Sequence, residues 1–166
     1  MLFRSALREI QKQTASLQAD VLLENTAGQG SCLGWKFEHL ARMIDGVANP
    51  DRIGVCIDTC HAFAAGYPLS ERADYESTME QLDSTVGIGR IRAMHLNDSK
   101  RELGSRVDRH DHIGRGLIGK AAFRNVLCDP RLAQLPMYLE TPKGVDDGKE
   151  HDAVNMQTLR KLMRDA

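Results

Sequence analysis

The stretch "IGVCIDTCHAFAAGY" (residues 53–67) decides the fold prediction, because it joins a buried strand to three groups that can hold a metal. Its first residues alternate branched apolar side chains with smaller ones, which is typical of a short strand packed on both faces. Asp58, Cys60 and His61 follow, and the small residues Ala-Ala-Gly then predict a loop. A carboxylate at the end of a buried strand needs a partner.

Three other predicted strands end in the same way, so the pattern covers the whole chain. The four strands are residues 20–24, 52–58, 90–96 and 135–140. The metal-capable side chains at or near their C-terminal ends are Glu24, Asp58, His95 and Glu140. Parallel strands bring their C-terminal ends to one edge of a sheet, where α/β folds build their sites, so we expect these side chains to converge.

Segments with apolar residues at helical spacing separate these strands. The predicted helices are residues 2–18, 35–47, 72–87, 119–129 and 150–165, with Gly87 ending the third. One helix followed by four strand–helix units predicts an α/β fold with a parallel sheet and right-handed crossovers. No linker or low-complexity segment divides the chain, so we predict a single domain over residues 1–166.

The composition limits the classes of function. The formal net charge is −1, so any nucleic-acid contact must come from a local site rather than from overall charge. No apolar run approaches the length of a membrane span, and the first residues lack the apolar region of a secretory signal. The four cysteines form no CxxC pair, so we expect reduced thiols in a cytoplasmic protein. We expect no membrane partner.

The strand-end residues have the chemistry of a metal site. Three carboxylates crowded at one edge would repel one another unless a cation lay between them. Carboxylate together with imidazole favours zinc, manganese or iron over calcium. The alternative is four buried polar groups with separate partners. It requires four independent coincidences, so the metal interpretation is preferred.

A second candidate cluster follows the third strand, in "HLNDSKRELGSRVDRHDHIGRG" (residues 95–116). Asp108 and His110 alternate, so their side chains share a face in an extended segment. With His61 they make a set of two imidazoles and one carboxylate, which leaves an open position for water or substrate. The basic residues of this stretch are candidate phosphate-binding groups, although a solvated loop of mixed charge explains most of them equally well.

Five segments resemble the signature stretches of one enzyme family. They are "LLENTAGQG", "VCIDTCHAFAAGY", "HLNDSK", "GSRVDRHDHIGRG" and "YLETPKG". In this order they are similar to bacterial endonuclease IV, the zinc-dependent apurinic/apyrimidinic (AP) endonuclease family of base-excision repair, which is built on a TIM barrel. The resemblance implies an enzyme that hydrolyses the phosphodiester bond 5′ to an abasic site in double-stranded DNA, leaving a 3′-hydroxyl and a 5′-deoxyribose phosphate.

The resemblance also assigns metal ligands position by position. It implies that Glu24 bridges a first and a second zinc ion. The other implied ligands are Asp58, His95 and Glu140 for the second zinc and His61, Asp108 and His110 for the third. Glu24 and Glu140 are the implied catalytic residues. Asp58 and His61 would therefore hold different ions on one rim.

The chain resembles only part of that family. A complete (β/α)₈ barrel takes about 250 residues, and the four strand–helix units match its C-terminal half, preceded by one helix. The family holds up to three zinc ions, but two histidines of the first site belong to the missing strands. We expect impaired activity, and either self-association or a need for an N-terminal half-barrel, because one sheet face and two edges are uncovered. The residues expected on or beside that face are Leu22, Val55, Ile57, Ala93 and Tyr138.

Two other interpretations remain open. One is a sugar isomerase or epimerase of the xylose isomerase-like barrels, which also present Glu, Asp, His and Glu at strand ends but around a single metal site. The other is an inactive fragment that binds metal and DNA without cleaving it. The number of metal ions per chain distinguishes the isomerase from the nuclease, and a cleavage assay distinguishes the nuclease from the fragment.

Overall fold

The computed structural model describes residues 2–164, and within them the expected alternation of helices and strands is present. The helices are α1 (Leu2–Gln13), α2 (Phe37–Ile44), α3 (Thr59–Ala65), α4 (Arg72–Thr85), α5 (Gly119–Leu127) and α6 (His151–Arg164). The strands are β1 (Val21–Glu24), β2 (Ile53–Asp58), β3 (Ile91–His95), β4 (Asp98–Ser99), β5 (His110–Asp111), β6 (Met137–Tyr138), β7 (Val145–Asp146) and β8 (Lys149–Glu150). Short 3-10 turns, Pro50–Arg52 and Ile88–Arg90, lead into β2 and β3.

The central sheet is parallel, as predicted. Its strand order is β1-β2-β3-β6, and the register places Asp58 opposite His95 and His95 opposite Tyr138. The remaining strands form two small antiparallel pairs, β4 with β5 and β7 with β8. The C-terminal ends of the four parallel strands therefore meet at one rim, and β1 and β6 are the two edges of the sheet.

One face of the sheet is packed against the helices. Val55 and Ile57 of β2 lie in the hydrophobic core together with helical residues such as Phe37 and Phe123. Both β2 residues are at most 5% exposed. Our expectation that they border an uncovered face is wrong, because alternation along β2 points them to the side opposite Asp58.

The opposite face of the sheet is covered only in its middle. Leu22 and Tyr138 are 38% and 54% exposed, whereas Ala93 is buried. A side chain at Gly54 would collide with Leu22 and Arg92, so the glycine lets those two side chains close over β2. The expectation of an uncovered face is therefore met at the edge strands β1 and β6 and not at the centre.

Three predicted elements are clearly longer than the observed ones: α1, α2 and β6. α2 covers Phe37–Ile44 rather than residues 35–47. α1 ends at Gln13 rather than at residue 18. Thr14 and Ser16, which follow it, have side chains that compete for backbone hydrogen bonds and favour turns. β6 covers two residues rather than the predicted 135–140. It is an edge strand, and Pro136 in front of it has no N–H to donate.

The chain between Asp58 and Gly66 forms α3, where a loop was expected. The Asp58 side chain accepts a hydrogen bond from the His61 N–H at 2.8 Å, which caps the first turn. Gly66, at φ 106°, ends the helix in the left-handed conformation. His61 is therefore fixed on a helix at the rim.

The helices α4, α5 and α6 lie within two residues of their predicted bounds. Gly87 follows α4, and its N–H bonds the Leu82 carbonyl at 3.3 Å. The predicted helix 150–165 is present as α6, and its residue 165 lies outside the described part of the chain. Among the described residues, no helix is long and apolar enough to cross a membrane.

Candidate metal centre

The four strand-end side chains converge at the rim. One ligand atom from each of Glu24, Asp58, His95 and Glu140 lies within 4.8 Å of the others. The Nδ1 atom of His95 is 3.1 Å from Glu24 Oε1, 3.1 Å from Glu140 Oε2 and 3.9 Å from Asp58 Oδ2. We call these four residues the strand cluster. Three oxygen donors and one nitrogen donor are thus brought together where the sequence predicts them.

Asp58 is the most enclosed member of the strand cluster, with no exposed surface. Its Oδ1 accepts the His61 N–H, and its Oδ2 accepts the Asn97 amide at 2.5 Å. Burial raises the pKa of this carboxyl, and the nearby His61 and His110 offset that effect only in part. Within residues 2–164 its ion-pair partners are histidines rather than lysine or arginine. Among the described residues Asp58 therefore lacks a permanently charged partner, which makes it a candidate ligand for a metal cation.

A second group of donors lies beside the strand cluster. His61 Nε2 is 3.2 Å from Asp108 Oδ2, and His110 Nε2 is 3.3 Å from Asp108 Oδ1. The two Nε2 atoms are 3.4 Å apart. We call His61, Asp108 and His110 the loop cluster, because two of them come from the segment after β4. The structure brings these three together as predicted, and three donors leave a tetrahedral ion one position for water or substrate.

Backbone hydrogen bonds anchor the loop that carries Asp108. The Gly104 and Arg106 N–H groups donate to carbonyls in the last turn of α3, at 3.0 and 2.9 Å. The Gln29 side chain accepts the Asp108 N–H at 3.1 Å, and β4 pairs with β5 further along. α3 also carries His61, so one helix positions both parts of the loop cluster.

His61 connects the two clusters. Its Nδ1 atom is 2.9 Å from the Asn25 carbonyl and 3.3 Å from Glu24 Oε1. A proton on Nδ1 that points at this carbonyl leaves Nε2 to face Asp108, which is the tautomer that a metal ligand needs. Burial lowers the pKa of His61, but Glu24, Asp58 and Asp108 outweigh burial and raise it to about 9. At neutral pH the ring is protonated unless a cation takes the place of that proton.

Glu24 lies between the clusters and is more open than Asp58. Burial raises its pKa, but the hydrogen bond to His61 and the charge of His95 more than compensate, so the pKa is lowered. The side chains of Glu24 and Glu140 are 35% and 47% exposed. These are the carboxylates of the strand cluster that a substrate can reach.

Two asparagines that the sequence reasoning missed hold Asp58 in place. The Asn25 amide pairs with the Asp58 backbone, accepting its N–H at 2.7 Å and donating to its carbonyl at 3.1 Å. Asn97 donates to Asp58 Oδ2 and accepts the Glu140 N–H at 2.9 Å. Both amides are at most 2% exposed. The available signal was their position directly behind ligand-bearing strands, in "LLEN" and "HLN".

Cys60, between Asp58 and His61 in the chain, is a packed thiol. It is fully buried, and its sulfur lies 3.7 Å from the Arg109 carbonyl. Burial and the charge of Asp58 raise its pKa to about 12, so the sulfur is protonated at neutral pH. Cys60 lies close enough to Asp58 and His110 to form a third possible ligand set. A protonated thiol is a poor metal ligand, so the strand cluster and the loop cluster are the better candidates.

The basic residues predicted to contact phosphate lie along the segment that carries Asp108. They are Lys100, Arg101, Arg106, Arg109 and Arg115. Arg106 stacks on Trp35, with 4.0 Å between the guanidinium carbon and the ring centroid, and Lys36 approaches the same ring at 4.8 Å. Stacking limits the freedom of Arg106 while its charge stays in solvent.

The separations between donor atoms suit a small divalent ion. Zinc binds imidazole nitrogen and carboxylate oxygen at about 2.0–2.2 Å, which places neighbouring tetrahedral donors roughly 3.4 Å apart. The shortest separations are 3.1 Å in the strand cluster and 3.2 Å in the loop cluster. Each cluster also mixes imidazole with carboxylate, as zinc, manganese and iron prefer. The residues present therefore fit the metal that the resemblance implies.

Comparison with known sequences supports the resemblance. Residues 1–164 match the family model described as xylose isomerase-like TIM barrel. The chain is 54% identical over 144 residues to a probable endonuclease 4 of Chloroflexus aggregans and 53% identical over 143 residues to that of Citrifermentans bemidjiense. These matches cover 87% and 86% of this chain but 50% of each relative. The chain therefore spans about half the length of these curated relatives.

A solved structure has the same fold. The chain matches the crystal structure of endonuclease IV from Thermus thermophilus with a TM-score of 0.84 and 39% identity, over 98% of this chain and 57% of that one. The predicted relationship to endonuclease IV and the predicted partial (β/α) barrel are thus confirmed.

Proposed function

Because the chain belongs to the family of xylose isomerase-like TIM barrels, we propose that it acts as the metal-binding part of a zinc-dependent AP endonuclease, with residues 1–166 as one partial barrel domain. The reaction is hydrolysis of the phosphodiester bond 5′ to an abasic site in double-stranded DNA. The observation that carries the proposal is the pair of adjacent clusters, which offers ligands for two ions at one rim. The names of the relatives and of the solved structure support a nuclease.

The chain's own residues have distinct tasks in this reaction. The proposed ligands are Glu24, Asp58, His95 and Glu140 for one ion and His61, Asp108 and His110 for the next. Zinc, when bound, supplies Lewis acidity and a nucleophile at neutral pH. Asp58 is fixed by burial and by hydrogen bonds, so it sets the position of the ion. Glu24 and Glu140 are the proposed catalytic residues, because their carboxylates are the ones of the strand cluster that a bound phosphate would reach.

DNA contacts are proposed for the basic residues after β4. Stacking on Trp35 limits the conformations of the Arg106 side chain, and Arg109 precedes the proposed ligand His110 in the chain. Arginine suits this task because its planar fork of donors matches phosphate oxygens. Since the net charge of the chain is −1, binding depends on these few contacts and weakens steeply with added salt. The proposed place of action is the chromosome in the cytoplasm.

We propose an N-terminal half-barrel as the protein partner of the open sheet. β1 and β6 each have backbone groups on their outer side that the described sheet leaves unpaired. Beside β6, Tyr138 and Met163 are 54% and 57% exposed and line a groove of about 260 Å³. A second copy of this chain, the alternative occupant, would bring another set of acidic ligands to the same rim and is disfavoured by charge. Sedimentation distinguishes them: a concentration-dependent dimer supports self-association, and a monomer that binds the added half-barrel supports the complement.

Two other functions are less well supported. A sugar isomerase needs one metal site, which gives the loop cluster no role, and the relatives named above are nucleases. An inactive fragment that binds metal and DNA is the alternative for these residues by themselves, because the resemblance places two ligands of a first zinc site on strands outside residues 1–166. A cleavage test decides between this fragment and an active nuclease.

The test uses a labelled duplex with a single abasic-site analogue. The full chain is incubated with zinc, alone and with a separately expressed N-terminal half-barrel, and cleavage is followed on a denaturing gel. We expect little cleavage by the chain alone and a cut 5′ to the abasic position when the two are combined. His110→Ala should abolish the cut, whereas Asp111→Ala, a matched change of the neighbouring residue, should retain it. If the chain binds zinc but no cut appears when it is combined with the half-barrel, the proposed activity is contradicted.

A further inference from the structure

Asn97 contacts two members of the strand cluster at once. Its Nδ2 donates to Asp58 Oδ2 at 2.5 Å, and its Oδ1 accepts the Glu140 N–H at 2.9 Å. One side chain therefore joins the carboxylate of β2 to the backbone behind β6. Glu140 lies beyond the two residues of β6 that pair with β3. The hydrogen bond from its N–H to Asn97 therefore fixes the Glu140 backbone where the sheet pairing has ended.

The Asn97 side chain is itself fixed. It has no exposed surface, and its backbone N–H and carbonyl both bond the Thr59 hydroxyl, at 2.9 and 2.7 Å. Thr59 is the first residue of α3, directly after Asp58. The amide therefore has one possible orientation, with its donor toward Asp58 and its acceptor toward Glu140.

The Asp58 carboxylate lies between the two clusters, and the hydrogen bond from Asn97 restricts its rotation toward either one. Its Oδ2 lies 3.9 Å from His95 Nδ1 in the strand cluster and 3.7 Å from His110 Nε2 in the loop cluster. The carboxylate oxygen is thus almost equidistant from the two clusters. Without the Asn97 donor, rotation of the carboxylate toward His110 would take a ligand from the strand cluster.

We propose that Asn97 is a positioning residue that assigns Asp58 to the strand cluster and holds Glu140 beside it. The inference rests on the proposed metal sites, and it concerns how tightly and in which geometry the strand cluster binds its ion. Residues that orient metal ligands typically change metal affinity by about 10–100-fold when they are removed.

The test measures metal binding rather than cleavage, in the full chain with Asp108→Ala present so that only the strand cluster binds. Zinc affinity is determined by competition with a chromophoric chelator, and the visible spectrum of bound cobalt(II) reports ligand geometry. Asn97→Ala should weaken zinc binding by about 10–100-fold and alter the cobalt spectrum. Asn125→Ala is the matched control, since that amide bonds the Leu69 and Ser70 carbonyls away from the rim. It should change neither quantity.

A second measurement separates a positioning role from general damage. With Asp108 restored, Asn97→Ala should still bind zinc at the loop cluster at least as tightly as the parent, because any rotation of Asp58 is toward His110. Loss of both sites would mean that the variant is misfolded and would overturn the proposal. Unchanged affinity and cobalt spectrum would overturn it as well. Parent protein that binds zinc at both clusters but cleaves no abasic DNA even when combined with the N-terminal half-barrel would contradict the proposed function and leave this inference standing.

Discussion

Asp58 at the rim and Asp129 after α5 are equally buried carboxylates with different partners. Both are at most 1% exposed. Asp129 accepts hydrogen bonds from the Arg131 guanidinium at 2.7 Å and the Tyr75 hydroxyl at 2.8 Å, and its pKa is lowered although burial alone would raise it. Asp58 has amide, backbone and imidazole partners, and burial raises its pKa. Arg131 gives Asp129 a permanently charged partner within the fold, whereas the charged partners of Asp58 are histidines, whose protons a metal ion can replace.

This difference separates a structural from a functional buried charge. A buried carboxylate with a fixed guanidinium is satisfied when the chain folds. A buried carboxylate that receives its hydrogen bonds from amides and faces other carboxylates and imidazoles has no fixed countercharge, so its site is suited to binding a cation. The predictions that follow compare the two regions by the free energy of unfolding, beginning with the largest change.

The largest expected effect is that of zinc on the metal-free chain. At a zinc concentration about 100 times the Kd, each site stabilises the folded state by about 2.7 kcal/mol, so two sites give about 5 kcal/mol. For a chain of this size the thermal midpoint should rise by about 10–20 °C. Thermal unfolding with and without zinc measures the gain, and Asp58→Asn should lose about half of it. A full gain in that variant would remove Asp58 from the metal site.

Asp108→Ala should remove the contribution of the loop cluster, about 2.7 kcal/mol of the zinc gain at the same saturation. In the metal-free chain it should change stability by less than about 0.5 kcal/mol, because the side chain is 47% exposed. Elemental analysis should find one ion fewer per chain. Asp111→Ala, in the same strand segment, serves as the control and should keep both ions. Equal metal content in the two variants would show that the loop cluster is only a structured loop.

Asp129→Asn should cost about 2 kcal/mol with or without zinc, because hydrogen bonds to a charged group are lost. The lowered pKa means that this contribution is present above the ordinary aspartate value of about 3.9 and is lost as the pH falls through the folded value. Urea unfolding from pH 7 down to pH 3 should show the difference between parent and variant shrinking. A difference that depends on zinc would contradict a purely structural role.

Asp58 should show the opposite pH dependence in the metal-free chain. Its pKa is raised, so its contribution is present below the ordinary value and is lost as the pH rises through the folded value. Asp58→Asn should therefore cost less stability at pH 7 than at pH 4. The same urea series provides this contrast with Asp129.

The smallest effect is expected at an exposed ion pair. Lys143 Nζ lies 2.8 Å from Asp152 Oδ2, with the side chains 65% and 48% exposed. Lys143→Ala should change stability by less than about 0.5 kcal/mol, and addition of salt should remove even that. Urea unfolding at low and high salt measures it. A loss above about 1 kcal/mol would show that exposure is a poor guide to the value of a charge in this fold.

The strand cluster could be predicted from the sequence because its members share one local pattern. A polar side chain at the end of each apolar strand, together with parallel pairing, is enough to place Glu24 beside His95. The loop cluster followed from the alternation of Asp108 and His110 and from the family resemblance. Both predictions concern residues near element ends, where position along the chain determines position at the rim.

Other features depend on contacts that the sequence does not state. α3 was missed because its seven residues are too few to show a helical period, and its caps, Asp58 and Gly66, also suit a loop. Asn25 and Asn97 were missed because their partners lie in neighbouring strands and become visible only from the register. Val55 and Ile57 were assigned to the wrong face because a run that is apolar on both sides does not indicate which side meets the helices.

The most direct test of the central claim is an anomalous difference map from zinc-soaked crystals of the full chain, recorded on both sides of the zinc absorption edge. We expect two peaks at the rim, one bounded by Asp58, His95 and Glu140 and one by His61, Asp108 and His110, and none beside Asp129. A map without a peak at Asp58 would contradict the claim that this buried carboxylate binds a metal cation.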